Sequence, residues 1–435
     1  MIPEPGAWTT MTAVDEEMVR RKRKLVSKMV CDDSLRYFEP KTIEYMNTFC
    51  KVLEEGATEL SWSDPKDLTT ECRKLMTAII SGFAFGQKID VFANPDQSFI
   101  LDALENYAWR MGIYKESPFL TYLQLEKAYA ILSRGNTTKK WLRWGETYIS
   151  GVLSSCKDVE TGTFSAFVNS KSTITGEACT RGELSSEAFF LMLAGSDTSA
   201  TTASAVLFYL ANHPDIYARL AMEIRTMYSS LAEIQSSGSR STYLNACIME
   251  TLRLSPATIS APWRDVQRGG ALIDEELIPE GYEVGTCIYA IHHDKSSFPH
   301  PHTFIPSRWL PEDPLHDILF TLPSTDPLSK TNLLSPTTPE TQQLAMSPFG
   351  IGLRRCPGRS MALRNLHLLI ARIIWQYDFR AAEGALGRVG RGEEAKGWKN
   401  WGRHREREFQ LKATITSMSV GPWLVFRKRK NEVSE

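Results

Sequence analysis

The sequence predicts a mainly α-helical chain with small β-sheets, an α+β fold, on three observations. Apolar positions recur at helical spacing through most of the first half. One long, nearly uncharged segment, Ala188 to Ala211, lies at the centre. Short strand-like runs come after Ser255-Pro256. The composition is that of a globular protein: 435 residues, 42% hydrophobic and 23% charged, which excludes disorder, collagen-like repeats and a small disulfide scaffold. Lys plus Arg total 50 and Asp plus Glu 51, so no bulk charge draws the chain to nucleic acid. Eight cysteines, none in a C-x-x-C pair, argue against a disulfide framework or a thiolate zinc site and point to a reducing compartment.

Taken in order, Asp15, Glu16 and Glu17 suit a helix N-terminus and open a helix over 15–31 that carries the basic run Arg20 to Lys24. Helices are predicted over 41–55 and 67–84, a turn at Asn94-Pro95-Asp96, and helices near 97–111 and 138–156. A Gly/Ser/Thr-rich loop occupies 160–182. The central segment is long enough to cross a bilayer and carries one charge, Asp197. Gly195 and its many Ser and Thr residues weaken that transfer, so a buried helix is expected. His213-Pro214-Asp215 enters the next helix with Pro at its first position. Leu244, Ile248 and Leu252 mark another, which Ser255-Pro256 ends. Ile278-Pro279-Glu280-Gly281 fits a type I turn, and Val284 to Ile291 reads as a strand. Residues 312–346 and 384–408 read as loops around an apolar helix over 359–377. The opening Met-Ile-Pro-Glu-Pro-Gly has neither the basic start nor the apolar core of a signal peptide.

The most informative segment is Phe349-Gly350-Ile351-Gly352-Leu353-Arg354-Arg355-Cys356-Pro357-Gly358, followed directly by a helix. The glycines permit a tight loop and close approach to a flat ligand. Cys356 at the helix start, with Arg354 nearby, is expected to have a lowered pKa and to favour thiolate. A thiolate is a strong axial ligand for haem iron. A lone Cys beside a turn is more often a buried free thiol. Here, however, F-x-x-G-x-R-x-C-x-G is met in full at Phe349, Gly352, Arg354, Cys356 and Gly358. This resembles the haem-binding signature of the cytochrome P-450 family.

Further motifs follow the same resemblance. Ala194-Gly195-Ser196-Asp197-Thr198-Ser199 is similar to the family's oxygen-activation motif, with small residues letting the helix lie over a haem face and Thr198 bonding backwards along it. Glu250-Thr251-Leu252-Arg253 matches E-x-x-R, and Phe304-Ile305-Pro306-Ser307-Arg308-Trp309 matches F-x-P-x-R-W. Alone, E-x-x-R is usually a solvated surface pair. Together they imply a structural network of Glu250, Arg253 and Arg308 behind the cysteine loop. Leu210 to Pro214, Phe298-Pro299, Gly421-Pro422-Trp423 and the segment Arg23 to Pro40 extend the likeness to nearly the whole chain, read as one domain over 1–435.

The resemblance implies a haem-thiolate monooxygenase like fungal secondary-metabolism members. Cys356 is the implied iron ligand. Asp197 and Thr198 are the implied catalytic pair that organises water and delivers protons to dioxygen. Arg354, Arg264 and Arg23 would hold haem propionates, with Phe349 shielding the sulfur. Electrons would come from NADPH through a separate NADPH-cytochrome P-450 reductase docking near the cysteine loop. Positional inference assigns a lipophilic small-molecule substrate to Phe190, Leu191, Ala194, Thr258, Ile259, Ser260, Ala261, Ser417 and Met418. A monomer on the cytosolic face of the endoplasmic reticulum membrane is implied, with no anchor in this chain. Rearrangement or dehydration on the same haem, and a shortened non-catalytic relative, remain as alternatives.

The chain departs from the family in places. The match begins late, with about fourteen residues before the basic helix; the N-terminal anchor and first sheet strands are expected to be absent. Val19 stands where the family has Trp or His, four residues before Arg23, and Asn365 where many relatives have Glu. His292, His293, His300 and His302 form the only histidine cluster; their spacing fits no compact zinc motif, and a surface loop is expected. The run Arg20 to Lys24 is expected to lie against haem propionates or a redox partner, or to be solvated.

Overall fold

The computed structural model describes residues 7–86, 89, 91–92, 94–121, 147–148, 150–151, 163–171, 178–235, 241–310, 345–393 and 404–429. The expected helix at 138–156 and the loop at 312–346 lie almost wholly outside them.

Helices dominate: α1 Glu16–Met29, α2 Asp32–Leu53, α3 Leu68–Phe85, α4 Phe99–Glu116, the single turn α5 Ser165–Val168, α6 Arg181–Asn212, α7 Pro214–Met227, α8 Thr242–Leu254, α9 Ile288–His292 and α10 Arg359–Gln376. Their ends follow local chemistry. Asp15 accepts from the Met18 N–H at the start of α1, and Ser241 from the Leu244 N–H at the start of α8. Thr180 and Glu183 form a reciprocal capping box that starts α6. Pro214 takes the first position of α7 as expected, and Gly86 closes α3 at φ 64.

The strands are short. Lys66–Asp67 (β1), Trp423–Lys428 (β9) and Tyr377–Ala381 (β6) make an antiparallel sheet in the order β1-β9-β6, with Ala381 and Lys66 both opposite Leu424. Arg264–Asp265 (β2) pairs with Glu283–Val284 (β5), Ala271–Ile273 (β3) with Glu276–Ile278 (β4), and Lys412–Ala413 (β7) with Ser417–Met418 (β8). The β3–β4 hairpin turns on Asp274 and Glu275, both at positive φ.

Two apolar clusters hold the helices. The larger joins α2, α3, the second half of α6, α8, α10 and the β6–β9 sheet. The smaller joins α1, the end of α3, α4 and the first half of α6. Helix α6 is therefore the shared axis. Its residues from Ser199 to Leu210 are buried throughout, which is why it is apolar without being amphipathic. Among the described residues no helix is long and apolar enough to cross a membrane.

Three expectations are corrected. Helix α2 begins at Asp32, not at residue 41, and runs through Pro40. An interior Pro costs about 3 kcal/mol; burial of Leu35, Tyr45, Met46 and Phe49 on one side offsets that cost. The run Val284 to Ile291 is not one strand: β5 ends at Val284, and α9 follows with Ile288 and His292 buried four apart. The histidines belong to α9 and the segment after it rather than to a simple surface loop. His292 is fully buried, and its Nε2 accepts the Ser347 N–H at 3.1 Å.

Candidate active site

The cysteine loop folds as its glycines require. Gly350 and Gly352 both stand at φ 67. No atom lies within 4 Å of a Cβ built on Gly352, so backbone conformation rather than crowding demands glycine there. The Gly350 N–H donates to Ser347 O at 2.9 Å, Arg355 N–H to Gly352 O at 3.2 Å, and Cys356 N–H to Phe349 O at 2.7 Å. Gly358 is the N-cap of α10, and its backbone N–H bonds the Cys356 sulfur. The Phe349 ring packs on the main core beneath the loop, with the Arg359 guanidinium 5.8 Å from its centroid. The Cys356 side is exposed, as are Ile351 and Leu353 beside it.

The expected low thiol pKa is corrected. Burial is the largest influence on Cys356 and raises it; the Gly358 N–H and Arg23 pull it down without prevailing. The sulfur has one open side, but the protein mass behind it sets the direction. Arg354 takes no part, since its Nη2 donates to Ala13 O at 2.7 Å. A metal ion deprotonates a coordinating thiol outright, so the raised pKa does not oppose iron ligation.

Three cations gather above the loop. Burial and then the charges of Arg264 and Arg23 hold the Arg354 pKa below its usual value. Arg23 Nη2 donates to Arg355 O at 2.7 Å, and Arg264 Nη1 to Pro262 O and Trp263 O. Among the described residues no carboxylate pairs with any of the three. Like charges in one place without an acid suit a dianionic ligand such as the two propionates of haem. The open thiol, the glycine-shaped loop and this trio fit the cofactor. Lys22 departs from its expected place: it turns inward, 1% exposed, to pair with buried Glu187 at 3.2 Å.

Helix α6 presents one partly open stripe. Phe190, Leu191, Ala194, Gly195 and Thr198 are half-buried, while the residues between them are buried. All three substrate positions expected on this helix fall on the stripe. Thr198 Oγ1 donates to Ala194 O at 2.7 Å, the backward bond the sequence suggested. Gly195 serves a different neighbour from the one expected: a Cβ there would lie 2.7 Å from Ile80 Cδ1 and Cγ1 of α3.

Asp197 faces α3 and α4. Its Oδ1 lies 3.4 Å from Arg73 Nε, close enough for an ion pair, yet it has no partner in hydrogen-bond geometry. Arg73 is shared: Nη1 donates to Glu105 Oε2 at 2.6 Å and Nη2 to Leu101 O at 3.1 Å. Burial, opposed by Arg73, raises the Asp197 pKa.

Thr258, Ile259, Ser260 and Ala261 are half-buried after α8, and Lys115 Nζ donates to Ser260 Oγ at 2.5 Å. Ser417 is placed differently from its expectation. It is 1% exposed; its hydroxyl donates to Pro256 O, its N–H to Ala257 O, and its O accepts from Thr201 Oγ1. It fastens the β7–β8 hairpin to α6, while Met418 keeps a half-open side chain.

Behind the loop, Glu250 Oε1 and Oε2 accept from Arg253 Nη2 and Nε at 2.8 and 2.9 Å, and Arg308 Nε reaches Oε1 at 3.3 Å. The Ile305 N–H and Trp309 Nε1 each donate at 3.0 Å. These donors hold the Glu250 pKa down at about 2 against burial. Trp309 lies inside the F-x-P-x-R-W motif, so its place in the network was open to sequence reasoning. Arg73 and Glu105 carried no such signal.

The cytochrome P-450 family model matches residues 8–386. Among the similar proteins, the cytochrome P450 monooxygenase poxM of Penicillium oxalicum is 32% identical over 426 residues, covering 96% of this chain and 74% of that one. A cytochrome P-450 monooxygenase of Gibberella zeae is 30% identical, covering 97% and 92%. The monooxygenase AKT7 of Alternaria alternata is 28% identical, covering 97% and 77%. Agreement of that breadth, together with a cysteine loop, a basic trio and an E-x-x-R network standing in one arrangement, shows that this chain belongs to the cytochrome P-450 family.

Proposed function

We propose that the chain is a haem-thiolate monooxygenase that inserts one oxygen atom from O2 into a lipophilic small molecule, in fungal secondary-metabolite biosynthesis. The observation that carries this reading is the open Cys356 thiol on a glycine-shaped loop beside the acid-free cluster of Arg23, Arg264 and Arg354. When bound, the haem supplies the oxidising chemistry, aided by electron donation from the thiolate. Cys356 Sγ holds the iron, and the Gly358 N–H steadies the sulfur's charge. Arg23, Arg264 and Arg354 bind the propionates, and Phe349 keeps water from the sulfur. The stripe Phe190, Leu191, Ala194 and the segment Thr258 to Ala261, with Met418, orient an apolar substrate. Asp197 Oδ1, buried and under-bonded, takes and releases a proton that the Thr198 hydroxyl relays. The presence of both residues favours oxygen activation over rearrangement.

Electrons come from NADPH through its cytochrome P-450 reductase, docked near Arg355 and Arg359 on the loop side, and the setting is the cytosolic face of the endoplasmic reticulum. The test is a reduced carbon-monoxide difference spectrum, followed by NADPH and oxygen consumption with a reductase. A thiolate-type spectrum that vanishes in Cys356→Ala, with substrate-dependent turnover, is expected. A spectrum unchanged in that variant overturns the reading.

A further inference from the structure

The segment carrying α9 meets the stretch before β7 at a cluster the haem chemistry does not use. His293, His302 and Glu408 bring three potential ligand atoms within 4.8 Å of one another. His293 Nδ1 stands 2.8 Å from Tyr289 O, so it carries the proton and donates; Nε2 is left with a lone pair. That Nε2 is buried and has no partner. His302 Nδ1 is likewise buried and unpartnered, 3.9 Å from Glu408 Oε2. Buried polar atoms are normally satisfied, so two unpaired imidazole nitrogens close to one carboxylate, on rings stacked 5.0 Å apart, leave room for a shared ligand. Burial keeps both imidazoles neutral, with pKa values pushed down to about 3 for His293 and about 4 for His302.

We propose that His293 Nε2, His302 Nδ1 and Glu408 Oε2 form a zinc site that clips α9 to the segment preceding the C-terminal hairpin. The donor set is two imidazoles and a carboxylate, which zinc takes in tetrahedral geometry with water in the fourth position. Groups that orient the ligands are in place: the Tyr289 carbonyl fixes the His293 tautomer, and the Tyr289 hydroxyl donates to Glu408 Oε1. Ligand atoms around such an ion lie about 3.3 Å apart, so the His302 ring, half-buried at its place on the segment after α9, turns to close the site. Several cations oppose the ion: Arg253 and Lys295 add positive charge at His302, and Arg253 at His293, but among the described residues only Arg405 bonds a ligand atom. Arg405 Nη1 donates to Glu408 Oε2 at 3.0 Å, but its side chain is 29% exposed and free to swing outward. The span from His302 to Glu408 contains the whole Cys356 loop, so an ion here closes the chain around the haem-ligand segment.

The test uses purified holoenzyme with the exposed thiols removed by Cys31→Ser and Cys287→Ser, stripped with a chelator and titrated with zinc sulfate in a calorimeter. One zinc per haem is expected, together with a rise of the unfolding midpoint with zinc concentration. His302→Gln weakens uptake at least tenfold (), with the haem spectrum unchanged. Arg405→Gln, which removes the bonded opposing charge, tightens it. The haem readout is separate from the zinc readout, so the result stands apart from the monooxygenase reading. No uptake at one equivalent, or the same affinity in the parent and in Arg405→Gln, overturns the proposal.

Discussion

Glu250 and Asp197 are both buried carboxylates facing arginine, and burial loses at the first and wins at the second. At Glu250, two guanidiniums, a backbone N–H and the Trp309 indole saturate the oxygens, and the pKa falls to about 2. At Asp197 one guanidinium stands 3.4 Å away and is itself divided between Glu105 and Leu101 O; the pKa rises. A fully bonded buried charge is rigid and holds one state, as a structural lock should. A half-bonded one holds its proton more tightly than an ordinary carboxylate, the direction that the proposed relay role needs.

The sharpest break of this contrast is Glu250→Ala. It leaves Arg253 and Arg308 buried without their acid, at 0% and 2% exposure. Breaking such a pair costs about 3–5 kcal/mol. Urea unfolding of the holoprotein should show that loss, together with haem release; retention of both haem and stability would mean the network is dispensable. The same contrast appears in pH. The Glu250 pKa is lower folded than unfolded, so its contribution is present above its ordinary value near 4.5 and is lost as pH falls toward about 2. Stability measured against pH should therefore drop across that window in the parent and stay flatter in Glu250→Gln. Asp197 has the opposite sign: its raised pKa costs stability as pH climbs above 3.8.

Asp197→Asn separates function from stability. Removing an under-bonded charge should leave the unfolding midpoint unchanged or slightly raised, while turnover falls about 100-fold, the lower range for loss of a general acid–base group. Uncoupled oxygen consumption with product analysis measures the second effect. A parallel fall in stability and turnover would instead make Asp197 a second lock.

What could be read from the sequence divides along the same line. The Cys356 loop and the Glu250–Arg253–Arg308 network sit on fixed spacings, and the two glycines announced their positive φ. Effects that depend on distant chain were not legible. Arg73 reaches Asp197 from another helix without any motif. The Cys356 pKa is governed by protein mass that no local pattern records, and neither the helix end nor Arg354 sets its direction. Local pattern also fell short where burial overrode it: helical spacing is plain only from residue 41 although α2 starts at Asp32, and the run from Val284 reads as strand although Ile288 and His292 bury at helical spacing. His293 and His302 could not be joined to Glu408 from sequence, since their approach depends on the return of the chain more than a hundred residues later.

The smallest expected effect tests what keeps Asp197 under-bonded. Arg73 rides on α3, and α3 approaches α6 where Gly195 lacks a side chain. A methyl at 195 would stand 2.7 Å from the end of Ile80 and 3.3 Å from its Cβ, so rotation of Ile80 alone does not clear it and α3 must yield. Overpacking of this kind costs about 1 kcal/mol at the low end. Gly195→Ala should lower the thermal midpoint by a few degrees (), and adding Ile80→Val should recover part of the loss. Movement of α3 also changes the reach of Arg73, so the pH profile of turnover should shift in Gly195→Ala and return toward the parent in the double variant. A lowered midpoint with an unshifted profile would mean that the Arg73–Asp197 spacing is set by α4 through Glu105 rather than by the α3–α6 contact.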